Sequence, residues 1–495
     1  MKFELVPAPR LESRICYPFK MKAFASRFRY PLLLPVLFLA TTLFCLSTAR
    51  SQENSKASSD SLPGGKTPAE FSAAADEVLN QMSEITGLKL LSPLKRTLRS
   101  RDEIRAYILS QMNEDKAPAE RYASTRSAEA FGLLPKGFDM DSFMVNVLTE
   151  QVVGLYDPKA HEFYIADWSP LAEQKMVMAH ELTHALQDQH FHIEAWLKAA
   201  RPNDDAELAR EAVLEGSAMA SMIDYMLLGT GHSVKDLPEV DPASMVGDLG
   251  SSPTLKQAPP FMKDALVFPY FAGLTFSVGV LKPTGWSGFP VVFSKPPVST
   301  QQIMHPALYF SGKTPSIVSL PPLEKVLGSD WTKLEENAMG EFGWKEVLKQ
   351  FLGDDRAKPL ASAWDGDRYA VYEKKQSKQL VLLSRLHLSG DEQMARFFGQ
   401  YSEALEKKHV KRTNLLRRAN FFSFDTPDGS IFLYCRNSEC LTLEGADRRA
   451  FDGATRSIDW PMAPTAPVRP EDAPSRTTWN LLPAGNNVTE AASVK

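Results

Sequence analysis

Two histidines one helical turn apart, with a glutamate beside the first, constrain this chain more than any other feature. They stand in His180-Glu181-Leu182-Thr183-His184, inside a helical pattern that runs over roughly 170–198. On an α-helix, positions i and i+4 share one face, so both imidazoles can reach a single metal ion. Glu181 sits about 100° further round the axis, out of reach as a third ligand but well placed beside a water. Catalytic zinc takes three protein ligands and keeps one position open, with a carboxylate nearby to accept a proton. Any fold of this chain must therefore keep the segment helical and bring a further donor against its face.

One candidate donor is His190, which gives the spacing His-Glu-x-x-His-x-x-Gln-x-x-His with Gln187 where a glycine would turn the chain. An unbroken helix carries His190 about 600° past His184, some 120° off the metal face. Pro202-Asn203-Asp204-Asp205 ends the first helical pattern and supplies N-caps for a second, through about Leu228. On that second helix Glu207, Glu211 and Glu215 recur every four residues. The flanking Ala212, Val213, Leu214, Ala218 and Met219 mark a packed stretch, and a buried carboxylate needs a partner such as a cation. The small pair Gly216-Ser217 would let two helices approach closely. Glu215 is thus the expected third ligand, with Glu211 behind it or, like His190, an alternative. Gln187 and Asp188 lie one turn beyond His184, where they could orient its second ring nitrogen.

These residues resemble a family. HELTHALQDQHF (His180–Phe191), preceded by VVGLYDP and followed by an Ala/Glu helix containing LEGSA, is similar to the gluzincin class of zinc metalloproteases. It resembles more closely a group of exported, largely uncharacterised bacterial proteins with the same signature, over roughly 65–455. The resemblance implies a zincin-like α+β core, zinc held by His180, His184 and Glu215, Glu181 as general base, and a peptide or protein substrate. It also implies that the strand before the motif helix, around Phe163–Ala166, lines the cleft and pairs with an extended substrate. A peptidase usually adds a donor for the oxyanion. His305 in PPVSTQQIMHP and Tyr270 in FPYFAG are the candidates, each in a Pro-punctuated segment that reads as loop. Glu341 has no identifiable partner, and His161 and His192 are expected at the surface. The alternative is a non-catalytic zincin-like binding protein whose structural zinc is closed by a fourth ligand, His190 or Glu211.

The rest of the chain frames this core. Residues 32–46 form an apolar run preceded by Lys22, Arg27 and Arg29 and followed by Ser47-Thr48-Ala49, the pattern of a signal peptide over 1–50. Met21 looks like a more natural start than Met1, so 1–20 reads as a mis-called extension. The run is shorter than the ~20 apolar residues of a spanning helix and Pro35 interrupts it, so membrane contact would come only through an uncleaved signal. The destination is periplasmic or secreted. There Cys435 and Cys440, in IFLYCRNSECLTLEG, are placed to clamp a hairpin by a disulfide.

Of 56 Lys and Arg against 60 Asp and Glu, residues 1–50 hold eight and two, leaving 48 against 58 and a processed net charge of -10. That charge repels phosphate backbones and argues against nucleic acid as a partner. A polar linker covers 51–65, a helical N-terminal region 66–149, and the metal-binding core 150–355. An antiparallel α+β accessory module follows over 356–460, and a Pro/Ala/Thr-rich tail over 461–495 is expected to be disordered.

Overall fold

The computed structural model describes residues 68–112, 117–152, 154–168, 171–237 and 253–464. The expected signal peptide and linker, Cys16, Cys45 and nearly all of the tail lie outside these residues. Helices and an antiparallel sheet are largely segregated along the chain, an α+β architecture.

Helix α1 (Pro68–Thr86) buries Phe71, Ala75, Val78 and Met82, a stripe at helical spacing, against the helix that carries the histidine pair. The N-terminal region is not purely helical. Strand β1 (Lys95–Arg99) interrupts it before α2 (Arg101–Met112), α3 (Ala117–Phe131) and α4 (Met140–Gln151). Strands β2 (Gly154–Asp157) and β3 (Glu162–Ala166) then form a hairpin whose turn Asp157 holds. Its Oδ1 accepts the N–H groups of Lys159 at 2.8 Å and Ala160 at 3.1 Å. The sheet order is β1-β3-β2, with β3 parallel to β1 and antiparallel to β2. This corrects one expectation: both edges of β3 are taken, so Phe163–Ala166 has no edge for a substrate strand. The outer strand lying against the motif helix is β2.

Helix α5 (Leu171–Phe191) carries the motif and stops where His192 adopts φ +51°, so α6 (Ile193–Lys198) is a separate short helix rather than a continuation. Helix α7 (Asp204–Met226) is capped by Asn203, whose side chain accepts the Ala206 N–H at 3.1 Å. The largest departure from the sequence pattern is α8 (Pro260–Gly288), whose helical geometry is broken at Gly285 (φ +60°), in a stretch that shows no clear period. It is apolar on most faces and contains Pro269 and Pro283, each of which removes one helical N–H. It packs on α7 where two backbones touch. A Cβ added at Gly216 would lie 1.9 Å from the carbonyl carbon of Gly273.

The C-terminal part is a seven-stranded antiparallel sheet in the order β4-β5-β6-β10-β9-β8-β7. Its strands are β4 (Trp331–Asn337), β5 (Trp364–Lys374), β6 (Leu380–Leu388), β7 (Thr413–Arg417), β8 (Phe421–Thr426), β9 (Gly429–Arg436) and β10 (Glu439–Ala446). Both faces of the inner strands are buried, which explains why β6, β8, β9 and β10 hold near-continuous apolar runs, whereas the edge strands β4 and β7 are largely half-buried or exposed. Phe422, Leu433 and Cys435 pack with Trp344 of α9 (Gly340–Leu352) and with Phe397 of α11 (Asp391–Lys408), the helix after α10 (Asp354–Ala361). Phe421, Phe432 and Tyr434 pack with Phe451 of α12 (Arg448–Ser457). A disulfide joins Cys435 to Cys440 across β9 and β10, beside a tight turn in which Asn437 and Ser438 both have positive φ. Strand β4 starts upstream of 356, and Phe131 of α3 lies in the same core, so the sheet is tied to the N-terminal region.

Buried acids line the junction between sheet and core. Asp205, in the first turn of α7, accepts the N–H of Thr300 at 2.9 Å, and Asp367 of β5 accepts those of Met339 and Gly340 at 2.9 and 3.0 Å. Gly340 has φ +68°, and a Cβ there would lie 1.7 Å from Asp205 Oδ1, so this position requires glycine. Glu335 of β4 accepts the Tyr369 hydroxyl at 2.7 Å. Burial pushes Asp205 up to about 7 and Glu335 up to about 8, and burial with the Glu335 charge holds Asp204 well above its ordinary value. The unfolded chain ionises these groups near pH 4, so between about pH 4 and 8 the folded state binds more protons. Stability must fall as pH rises through that window, by up to about 1.4 kcal/mol per pH unit per group. Urea midpoints are expected to be higher at about pH 5.5 than at pH 8, with Glu335→Gln flattening the difference; equal midpoints for the unaltered chain would contradict it.

Candidate metal centre

The candidate centre forms where α5 and α7 pack. Close approach is possible because small and hydroxylic residues meet there: Thr183 Oγ1 lies 2.8 Å from Ser221 Oγ, and the Gln187 amide donates to Ser217 Oγ at 2.8 Å. The contact brings His180, His184 and Glu215 to one point. His180 Nε2 is 3.1 Å from Glu215 Oε2 and 3.1 Å from His184 Nε2, and His184 Nε2 is 3.5 Å from Glu215 Oε2. Zinc bonds of about 2.0–2.1 Å in tetrahedral geometry put ligand atoms about 3.3–3.4 Å apart, so this triangle fits such an ion. The second ring nitrogen of His184 is oriented by Gln187, with Nδ1 3.0 Å from Oε1. Among the described residues no fourth His, Cys, Asp or Glu joins the triangle.

Glu181 is fully buried beside these groups. Its Oε2 accepts the main-chain N–H of Tyr156 at 2.8 Å, whereas Oε1 has no hydrogen-bond partner among the described residues. His180 and His184 are 1% exposed and Glu215 4%, so the whole set is desolvated. Burial pushes Glu181 up to about 8, with the Glu215 charge adding and His184 opposing. Burial pushes Glu215 up as well, but the two imidazoles more than offset it and hold that carboxyl at about 2. Burial lowers His180; burial is also the largest single influence on His184, but the charge and hydrogen bond of Glu215, the charge of Glu181 and the Gln187 contact together outweigh it and the ring is raised.

The other sequence candidates fall elsewhere. His190 turns away as the continuous helix requires, its Nε2 donating to the Lys89 carbonyl at 2.7 Å, so it is not a ligand. Glu211 stands one turn before Glu215 outside the ligand triangle. Burial with the charges of Glu207 and Glu215 pushes its carboxyl up to about 8, with the Arg201 charge opposing. Asp188 does not reach His184; its Oδ2 accepts the Tyr156 hydroxyl at 2.7 Å and lies 2.9 Å from His161 Nδ1. His161 is therefore a surface ring with an anchored nitrogen, and His192 is exposed at the helix break.

Tyr270 lies inside α8 rather than in a loop, and its ring stacks on His180 with centroids 6.2 Å apart. His305 sits between two short helices, and its Nε2 is 2.8 Å from Oε1 of Glu341, the residue for which no partner was expected. That contact raises the His305 ring above its ordinary value and gives it a structural tie. Tyr156 is the residue that sequence reasoning missed. Its signal was the GLYDP turn preceding a helix whose Glu181 and Asp188 are seven residues apart.

Among known families, one described as a domain of unknown function (DUF8575) matches residues 327–452. That stretch spans the seven-stranded sheet and includes none of the residues around the metal triangle. No curated protein and no solved structure matches the chain.

Removing a ligand leaves the other two buried and uncompensated. His184→Ala and Glu215→Ala are expected to lower zinc affinity more than about 100-fold, beyond the 10–100-fold typical of groups that merely orient ligands. His190→Ala and Glu211→Ala should keep zinc. Elemental analysis of the purified variants checks this, and zinc retained in Glu215→Ala would remove that residue from the set.

Proposed function

We propose that the chain is an exported zinc-dependent peptidase of the gluzincin type. The observation that carries the reading is the contrast between three mutually adjacent ligand atoms and a buried Glu181 Oε1 that has no hydrogen-bond partner among the described residues. When bound, zinc supplies Lewis acidity that acidifies water and polarises a carbonyl. His180, His184 and Glu215 would hold it. Glu181 would accept a proton from the attacking water at Oε1, while Oε2 stays pinned by the Tyr156 N–H, and would return that proton to the leaving nitrogen. Gln187 would keep His184 in the tautomer that presents Nε2. The stacking of Tyr270 on His180 supports a role for that side chain at the centre, whereas the Glu341 contact of His305 supports none.

The low exposure of all four side chains favours a second reading, a structural zinc in a non-catalytic binding protein. A structural site is closed by four protein ligands, and among the described residues only three converge. A base next to the metal has no task in such a site. Export rests on the apolar run after Lys22, Arg27 and Arg29, and the Cys435–Cys440 disulfide agrees with an oxidising destination. Peptides or proteins are the substrate class.

The test is peptide-library cleavage by the purified chain, with and without a chelator, beside Glu181→Gln. Cleavage should vanish with chelator, return with zinc, and fall about 10²–10⁴-fold in Glu181→Gln while zinc content stays. Full activity in that variant would defeat the mechanism. Zinc that binds tightly with no cleavage of any library member would favour the structural reading.

A further inference from the structure

Glu181 and Asp188 lie seven residues apart on α5, within about 20° of the same direction and about 10 Å apart along the axis. One residue of the neighbouring strand touches both. The main-chain N–H of Tyr156 donates to Glu181 Oε2 at 2.8 Å, and its phenol donates to Asp188 Oδ2 at 2.7 Å. The Tyr156 side chain is 1% exposed and lies along the helix as a strut fastened at both ends. Asp188 is itself held on other sides. Its Oδ2 lies 2.9 Å from His161 Nδ1 at the β2–β3 turn, and its Oδ1 accepts the Ile193 N–H at 3.2 Å where α6 begins.

Among the described residues strand β2 has four residues and is paired on one side, so ladder bonds alone fix it weakly. The terminal torsion of a glutamate is also soft. Pinning one carboxylate oxygen fixes where the other points, and an error of about 1 Å in a reacting group can cost about 100-fold in rate. A main-chain donor cannot be deleted by substituting its own side chain. Its position depends on whatever anchors that residue: here the pairing of Tyr156 with Phe163 and, on the side of the motif helix, the Asp188–phenol bond, with His161 Nδ1 3.3 Å from the same hydroxyl.

We propose that Tyr156 and Asp188 are positioning residues for Glu181: the Asp188–phenol bond holds β2 on the motif helix, so that the Tyr156 N–H aims the free carboxylate oxygen of Glu181. The rate effect rests on the hydrolytic reading above; the clamp itself does not.

The experiment uses the zinc-loaded full chain and three variants. Tyr156→Phe removes only the phenol oxygen. Asp188→Ala removes the acceptor, and Asp188→Asn keeps its size and can still accept from the phenol. Tyr156→Phe and Asp188→Ala should lower kcat at least about tenfold, with KM and zinc content within about twofold of the unaltered chain, and Asp188→Asn should recover most of the loss. Independently of activity, amide hydrogen exchange in a peptide covering 154–157 should quicken about tenfold or more in Tyr156→Phe and Asp188→Ala.

Unchanged exchange and unchanged kcat in Tyr156→Phe would overturn the clamp and leave the hydrolytic reading intact. Quickened exchange in a chain that shows no zinc-dependent cleavage would sustain the clamp and sink the hydrolytic reading. Exchange that quickens equally in β1 and α4 would mark general loosening and overturn the clamp.

Discussion

Four ionisable side chains share one desolvated space, and the cost of holding charge there organises the rest of the core. Burial alone drives carboxyl groups up and imidazoles down. Glu215 nevertheless stays at about 2, because two imidazoles face it, whereas burial and the Glu215 charge lift Glu181 to about 8 against the weaker opposition of His184 and of one main-chain N–H. Two carboxylates of similar burial, one turn of α5 and one helix contact apart, are thereby pushed toward different tasks. The low one is suited to stay charged beside a cation, and the high one to take and return a proton. None of the three ligands His180, His184 and Glu215 can be exchanged singly without leaving the other two uncompensated.

Building that space requires two helices to approach closer than ordinary side chains permit. Gly216 and Ser217 follow Glu215 directly, so the residue that supplies the third donor is next to those that admit a neighbour. On the far side of α7, Gly216 meets Gly273 of α8 at backbone contact, and three residues earlier Tyr270 covers His180. Strand β2 closes the opposite side through Tyr156. The centre is thus held between an apolar helix and a short strand, each fixed by one close contact that tolerates little substitution. Rigid walls of this kind keep the imidazoles in one geometry and exclude bulk water, which strengthens every electrostatic interaction inside.

What could be seen in the sequence divides along the range of the interactions. His180, Glu181 and His184 are fixed by helical geometry within five residues, and Glu215 by a helical period together with the small pair after it, so a local reading reaches them. Helix α8 escapes because a helix that is apolar on most faces shows no amphipathic period, and its two prolines imitate loop punctuation. The strand order escapes for another reason. The pairing of β1 with β3 joins residues 67 apart, such as Lys95 and Glu162, and only that pairing makes β3 central and leaves β2 outside. The His305–Glu341 tie and the grip of Tyr156 on α5 likewise join residues far apart in the chain. No window of sequence contains both partners.

The C-terminal sheet has a mechanical claim on the centre although it contributes no group to it. Asp205, at the start of α7, is enclosed by Thr300 and by Gly340 at the start of α9, and Gly340 is in turn held by Asp367 of β5. Glu215 lies ten residues further along the same helix, about 15 Å away. A helix whose first turn is locked resists sliding or rotating about three turns further on. The buried acids at that lock are therefore not incidental to the metal triangle. They tie the register of α7, and so the position of Glu215 against the two histidines, to a sheet that begins more than a hundred residues later.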